Sequence, residues 1–504
     1  MPEPDASNSN DVRLAETTSG ALREMLAIAL PAVVTMTSYS VMQFVDKFVV
    51  AKLGTDELSA VGNGGVAAFV PASIFFGILS LISTFASQNL GAGKPERGSA
   101  YMWNGLWLLL FAWLVVLLPT AVFMTEFFAV MRGVFGLSVS ERVAELEVAY
   151  GRILLVGMIF TVAARGLSNF FYGIHKPTVV MVATVTGNII NFGFTIALVF
   201  GVPTLGIEPM GVVGAAIATV IGSTIETAIP FLFFISKRTD AKYKTRGSWR
   251  FSWPHMKELL KLGWPAGAMW GNEIVCWWVF LAGFVPTFDK DGESINNAAG
   301  LITMQYMHIS FMPAIGFSIA VSAVVGKCLG AGRPDLAAKR TILGLKITTV
   351  YMGVCALVFV LFRGPLVSIF TDADDPATQA ALIALGSKLL IVAAIFQLFD
   401  AIAIVLSGAL RGAGDTIWPG IATIVLSWGC IVGGGWLFVT YWPELGSMGP
   451  WIAAAAYIIT LALALVFRYR GGKWREMSVV NRDTPADPII PTAGPALESE
   501  SHIV

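Results

Sequence analysis

Three carboxylates stand in stretches of this chain that are otherwise apolar. Asp46 lies in Met42-Gln-Phe-Val-Asp46-Lys-Phe48, Glu273 in Trp270-Gly-Asn-Glu273-Ile-Val-Cys-Trp277, and Asp400 in Gln397-Leu-Phe-Asp400-Ala401. If these stretches cross a bilayer, each ionised carboxylate costs about 2.5–3.5 kcal/mol on insertion scales, so each needs a partner or a task. Gln43 and Gln397 precede Asp46 and Asp400 by one helical turn and share their faces. Lys47 is the nearest cation to Asp46, but adjacent residues on a helix diverge by about 100°. Trp270 and Trp277 fall on the Glu273 face. A carboxylate between indole rings suits a lipophilic cation, with cation–π attraction of roughly 0.5–2 kcal/mol per contact; an interfacial tryptophan belt is the competing reading. His308 is either a hydrogen-bonded core residue or a proton relay. Asn188 and Asn191 are either interhelical hydrogen-bond partners or ion ligands.

Positioning these groups requires membrane helices. Hydrophobic residues make up 56% of the 504 and charged residues 13%, half the charge of an average soluble domain at about 25%. Mean hydropathy is +0.72. Twelve stretches reach the ~20 apolar residues that a span needs. They lie near 24–50, 58–86, 101–124, 146–172, 178–200 and 211–236, then near 257–285, 297–326, 338–362, 379–408, 416–440 and 448–469. Pro31, Pro265 and Pro313 read as kinks. The chain divides into a polar segment 1–20, a six-helix bundle 21–236, a basic linker 237–256, a second bundle 257–470 and a disordered tail 471–504. No cleavable signal peptide is evident. Zero formal net charge gives no field for nucleic acid. Cys276, Cys328, Cys355 and Cys430 lack metal-site spacing and read as small core residues.

The basic residues set an orientation. Lys94, Arg97, Lys176, the cluster Lys237 to Arg250, Arg333, Lys339, Arg340, Arg411 and the group Arg468 to Arg475 fall on one side, with both termini. The other side holds fewer bases (Lys52, Arg132, Arg142, Lys290, Arg363) and the acids Asp289, Asp291, Asp372, Asp374 and Asp375. Both ends are therefore expected in the cytoplasm. Leu90-Gly-Ala-Gly-Lys-Pro95 recurs as Leu329-Gly-Ala-Gly-Arg-Pro334, an offset of 239 (329 − 90), and Leu167-Ser168 meets Leu406-Ser407 at the same offset. Each half has an even number of spans, so the repeats run parallel and a site is expected between them near the midplane. The glycine-rich motifs read as turns. No Walker-type phosphate loop accompanies them, so energy must come from an ion gradient.

Taken together, Pro31 ahead of Val45-Asp46, Gln88-Asn-Leu-Gly-Ala-Gly93, Gly263-Trp-Pro265 with Glu273 eight residues on, and Phe399-Asp400 leading to Leu410-Arg-Gly-Ala-Gly-Asp-Thr416 resemble the multidrug and toxic compound extrusion family, in its NorM-like branch. The resemblance covers about 20–470. It implies an all-α integral membrane fold of twelve helices in two pseudo-symmetric six-helix bundles. It also implies antiport of lipophilic organic cations against Na⁺ or H⁺ in a bacterial inner membrane. The implied coupling residues are Asp46, Glu273 and Asp400, with Glu273 and Asp400 as the Na⁺ pair. Gln43, Trp270, Trp277, Gln397, Asn188, Asn191 and His308 are then expected on the substrate cavity. Phe192 stands where a related branch carries an acid, which weakens a proton network around Asp46. The expected partners are a cationic or amphiphilic solute and the bilayer, with the chain acting as a monomer, without an organic cofactor or nucleic acid. A flippase of the same fold would favour a cationic lining for phosphate. A passive channel would need no gradient. A membrane-embedded enzyme would need a ligand cluster or a nucleophile–base pair, which four histidines do not supply.

Overall fold

The computed structural model of the chain describes residues 16–135, 140–289, 294–370 and 376–480. Residues 1–15 and the loop residues Lys290, Asp291, Asp372, Asp374 and Asp375 lie outside the described residues. Twelve described helices are long and apolar enough to cross a membrane: α1 Thr18–Ala51, α2 Thr55–Gly91, α3 Pro95–Val122, α4 Glu141–Gly173, α5 Pro177–Phe200, α6 Gly211–Phe234, α7 Trp253–Phe288, α8 Ile295–Gly330, α9 Pro334–Leu361, α10 Pro376–Ala413, α11 Ile417–Tyr441 and α12 Met448–Arg470. Each coincides with one expected stretch and overruns it at most ends, because caps and interfacial residues fall outside a hydropathy window. Thr17 caps α1 by accepting from the Gly20 N–H, and Ser140 caps α4 through Val143. Pro95, Pro177 and Pro334 open α3, α5 and α9, where a missing N–H is harmless. The protein is an integral membrane protein of twelve spans.

The two lobes repeat one packing scheme. α2 packs on α4 as α8 packs on α10, α1 on α5 as α7 on α11, α5 on α6 as α11 on α12, and α4 on α6 as α10 on α12. Between lobes, α1 packs on α8 and α7 on α2, the contact expected of a pseudo-twofold pair. The bundles are not cleanly separate, however. Met25, Ile28 and Ala29 of α1 join a core with Val321, Val324 and Val405 of the C-terminal lobe. Met256 and Leu259 of α7 join the core built around α2 and α4. Beyond Pro31 and Pro265 each helix returns to its own lobe: Val49 and Val50 pack near Val199, and Cys276 and Phe280 near Trp451. The expected boundaries at 21 and 257 are thus crossed by the first turns of α1 and α7.

The linker 237–256 is packed along α3. Ser236 caps a helix Lys237–Tyr243, and Ser99, Trp103 and Trp107 donate to the Tyr243, Thr245 and Trp249 carbonyls at 2.8, 2.6 and 2.9 Å. The start of the expected disordered tail is also fixed. Trp474 is buried and stacks on Tyr469 at 4.8 Å, and the Val479 N–H donates to Gln88 Oε1 at 2.9 Å. Trp474, Val479 and Val480 give this stretch the apolar surface that the polar remainder lacks. Residues 481–504 lie outside the described residues.

The repeated glycine motifs do two jobs. Gly93 and Gly332 both have φ of +72° and turn the chain. Gly91 and Gly330 end α2 and α8, and these ends cross. A Cβ on Gly91 would stand 2.0 Å from the Lys327 carbonyl oxygen, and one on Gly330 2.0 Å from that of Gln88. Gln88 Nε2 donates to the Gly412 carbonyl at 2.9 Å and Thr84 Oγ1 to that of Arg411 at 2.8 Å. Beside this seam, Glu24 of α1 accepts from Lys327 Nζ at 3.2 Å and Arg340 Nη2 at 3.4 Å. His175, between α4 and α5, reaches Glu24 at 3.9 Å and the Ala323 carbonyl at 3.3 Å.

Burial, then the charge of Lys327, push His175 down to about 4, against the opposing pull of Glu24. An imidazole released by separation of the lobes returns to about 6.5. The closed seam therefore binds fewer protons. Its His175 contribution is complete above about pH 6.5 and falls by about 1.4 kcal/mol per pH unit as pH drops toward 4. Acidification from about pH 7.5 to 5 is expected to shift a spin-label distance between positions 94 and 333 toward the separated form. His175→Gln should lose that His175-dependent part of the shift.

Candidate functional site

The C-terminal lobe brings two of the expected acids together. Glu273 of α7 and Asp400 of α10 are half-buried and close enough for their charges to interact. Tyr457 of α12 donates its hydroxyl to Glu273 Oε1 at 2.8 Å and feels both carboxylates. Next to Glu273 in the chain, Asn272 donates to Ser427 Oγ at 2.8 Å and accepts from Trp428 Nε1 at 2.7 Å. Ser427 and Trp428 open a π-helical stretch, Ser427–Gly434, and α7 carries another at Val279–Phe284. Such widened turns re-aim side chains; Ser427 and Trp428, at the start of one, meet Asn272 of α7 beside Glu273.

The expected cavity residues divide. Trp270 is 38% exposed. Trp277 packs edge-to-face on Phe280 at 5.5 Å, against the lobe's core. Gln397 is buried and donates to Ser310 Oγ at 2.6 Å. It ties α10 to α8 rather than lining a cavity, because Ser310 lies opposite it in that interface. His308 and Gln43 are exposed, and His308 lies within reach of the Lys47 charge.

In the N-terminal lobe Asp46 is half-buried. Thr195 donates to its Oδ1 at 3.4 Å, and Tyr150 of α4 feels its charge. Asn188 donates to Ser38 Oγ at 2.7 Å. Asn191, expected on the cavity wall, is 1% exposed and sits between α5 and α6. Gly222 makes the room: a Cβ there would lie 2.7 Å from Asn191 Cβ.

The N-terminal lobe holds another acid in an apolar stretch. Glu226 of α6 is 7% exposed and accepts from the Tyr39 hydroxyl and from Thr184 Oγ1, the latter at 2.7 Å. Arg165 of α4 lies over the Tyr39 ring at 5.0 Å and the Phe76 ring at 5.6 Å. Arg165 is a cation inside an apolar stretch of the same lobe. The signal for both was a charge inside an apolar stretch, the same signal that marks Asp400. Tyr457 and Asn272 had no comparable signal. Among the described residues no group of three or more His, Cys, Asp or Glu forms a metal cluster.

The chain and its fold have known relatives. The sequence is 29% identical over 459 residues, covering 90% of this chain and 94% of the relative, to a probable multidrug resistance protein NorM of Pseudomonas putida strain KT2440. A probable multidrug resistance protein NorM of Deinococcus radiodurans is 29% identical over 90% of this chain and 96% of its own. The structure superposes with a TM-score of 0.81 on the outward-facing conformation of a multidrug resistance MATE family transporter of the MOP superfamily, at 20% identity, covering 94% of this chain and 99% of that one. That likeness establishes the fold. The sequence profile of the MatE family matches residues 31–197 and 293–437. Twelve spans in two pseudo-symmetric lobes, with a match over both of them, place this chain in the MatE family.

Proposed function

We propose that the protein is a secondary active multidrug efflux transporter, exchanging lipophilic organic cations for Na⁺ or H⁺ by alternating access. It works as a single chain in a bacterial inner membrane with both termini in the cytoplasm. The observation that carries this is the pair Glu273 and Asp400 with Tyr457 inside the C-terminal lobe. Two carboxylates and a hydroxyl suit a hard cation or a proton, and the same charges attract an organic cation. Competition for one site couples the two. An ion that weakens drug binding must be weakened by the drug to the same degree. The names of the curated relatives support efflux of more than one drug.

The seam between α2 and α8 supports the outward-open form as the one described here. The lobes meet at the end that carries Lys94 and Arg333, the side expected to face the cytoplasm. External Na⁺ or H⁺ then binds at Glu273 and Asp400, the seam opens, the ion leaves inward and the organic cation takes its place. One charge moving down 100 mV contributes about 2.3 kcal/mol, enough for a concentration ratio near fiftyfold.

The test is efflux of a fluorescent organic cation from proteoliposomes under a sodium gradient alone and then a pH gradient alone. Uphill movement is expected under at least one of them. Flux that merely follows the solute's own gradient in both conditions would identify a passive channel and defeat the antiport reading. A flippase of the same fold would be revealed by translocation of a labelled anionic amphiphile without export of the cation.

A further inference from the structure

Four polar side chains of α5, Thr184, Asn188, Asn191 and Thr195, recur at helical spacing on one face. That face packs on α1 and α6. At one end Thr195 donates to Asp46. At the other, Thr184 donates to Glu226. Asn191 stands between them, one turn from Thr195 and one turn from Gly187. A Cβ on Gly187 would lie 3.1 Å from Glu226 Cβ. Asn191 is 1% exposed, and neither its Nδ2 nor its Oδ1 has a hydrogen-bond partner among the described residues. A buried donor and acceptor left so are costly. The usual remedy is water. An amide is suited to this position, since it donates at one end and accepts at the other.

Glu226 has room for what such a path would deliver. The described hydrogen bonds from Tyr39 and Thr184 both end on Oε1. The charged and titratable groups around it are Tyr39 of α1 and Arg165 and Tyr172 of α4. Those around Asp46 are Tyr150 of α4 and, next in sequence, Lys47.

We infer that Glu226 is a second proton-binding site of the N-terminal lobe, supplied from Asp46 along the polar face of α5 through Asn191 and water. In the transfer, one proton leaves the Asp46 carboxyl oxygen, passes along water held by Asn191, and binds Glu226 Oε2. Asp46 is left as a carboxylate and no electrons move. Protonating Glu226 removes a negative charge that shares the surroundings of Tyr39 and Tyr172 with Arg165. Arg165 then stands uncompensated against Tyr39, and the lobe's interior turns positive and repels an organic cation. This last consequence rests on the transport reading above; the proton site itself does not.

The test uses the full-length protein in lipid and infrared difference spectra of the protonated-carboxyl stretch on changing pH and on exchange into deuterated water. Neither measurement needs transport. Glu226→Gln is expected to remove one component of the wild-type carboxyl band, and Glu226→Asp to move it. Asn191→Val should keep that component but slow its deuterium exchange at least about tenfold, with a water path interrupted. A Glu226→Gln spectrum that superposes on wild type, with Glu226→Asp also unchanged, would overturn the site. Unaltered exchange in Asn191→Val would overturn the path. Tetraphenylphosphonium efflux, measured separately, reports on the transport reading. Loss of the infrared component with no efflux in the wild-type protein would reject transport of that cation while leaving the proton site in place.

Discussion

Asp400→Asn is expected to abolish ion-driven efflux while the protein still inserts and folds. The substitution keeps size and hydrogen-bonding capacity and removes one charge from a pair that shares its field with Glu273 and Tyr457. A unit charge about 4 Å from a cation is worth about 4 kcal/mol at the effective dielectric of a partly buried site. A coupling ion held by two carboxylates should then bind at least about a hundredfold more weakly to one. Glu273→Gln should act similarly, since a glutamine carbonyl still accepts from Tyr457 and only the charge is lost. Tyr457→Phe leaves both charges and deletes one hydrogen bond, so it should cost about 1 kcal/mol, or roughly fivefold in affinity. The ordering of the three distinguishes a charge site from a structural tie. Efflux by Asp400→Asn at the wild-type rate in proteoliposomes would sink the assignment of the C-terminal pair.

How much of this was legible in the sequence depends on the range of the interaction. Span positions were legible because hydropathy is local: every expected stretch has its helix. The parallel repeat was legible because two motifs recur at one offset. Asp46, Glu273 and Asp400 were legible because a lone charge in an apolar run is conspicuous. Glu226 and Arg165 meet the same criterion, but no motif accompanies them. What surrounds each acid was not legible. Tyr457 meets Glu273 from 184 residues away, and Tyr39 meets Glu226 from 187. Such pairings depend on helix rotation and on which helices adjoin, which a single chain's pattern does not encode. Gln397 shows the same limit. Its spacing from Asp400 was read correctly as one turn, but its amide points across to Ser310. The exchange of α1 and α7 between lobes was hidden for a related reason. An apolar residue such as Met25 or Leu259 carries no mark of which core it will join.

Gly91→Ala and Gly330→Ala are expected to open the seam between the lobes. Each adds a single methyl group, and each methyl would arrive 2.0 Å from a backbone carbonyl oxygen of the opposite helix. A side chain in that position could rotate away, whereas these carbonyls, in the last turns of α2 and α8 and bonded to the Ala92 and Ala331 N–H groups, move only with the backbone. Overpacking commonly costs about 1–3 kcal/mol, and a backbone clash belongs at the upper end. At 1.4 kcal/mol per factor of ten, about 3 kcal/mol would shift the closed-to-open ratio by more than a hundredfold. Spin labels at positions 94 and 333 should report that shift as a longer distance. Gly193→Ala provides a control, since a Cβ there would meet nothing within 4 Å. Gly93→Ala provides a second, because its φ of +72° strains the turn by about 1–2 kcal/mol without touching the seam. Because Gly91 and Gly330 occupy equivalent places in the two repeats, their variants should shift the distance alike and should both slow efflux by preventing return to the outward-open form. A wild-type distance in both variants would mean that these ends of α2 and α8 do not carry the closure. A shift in only one would mean that the lobes close around an asymmetric contact, and the lock of Glu24, Lys327, Arg340 and His175, which the repeat does not duplicate, would then be its source.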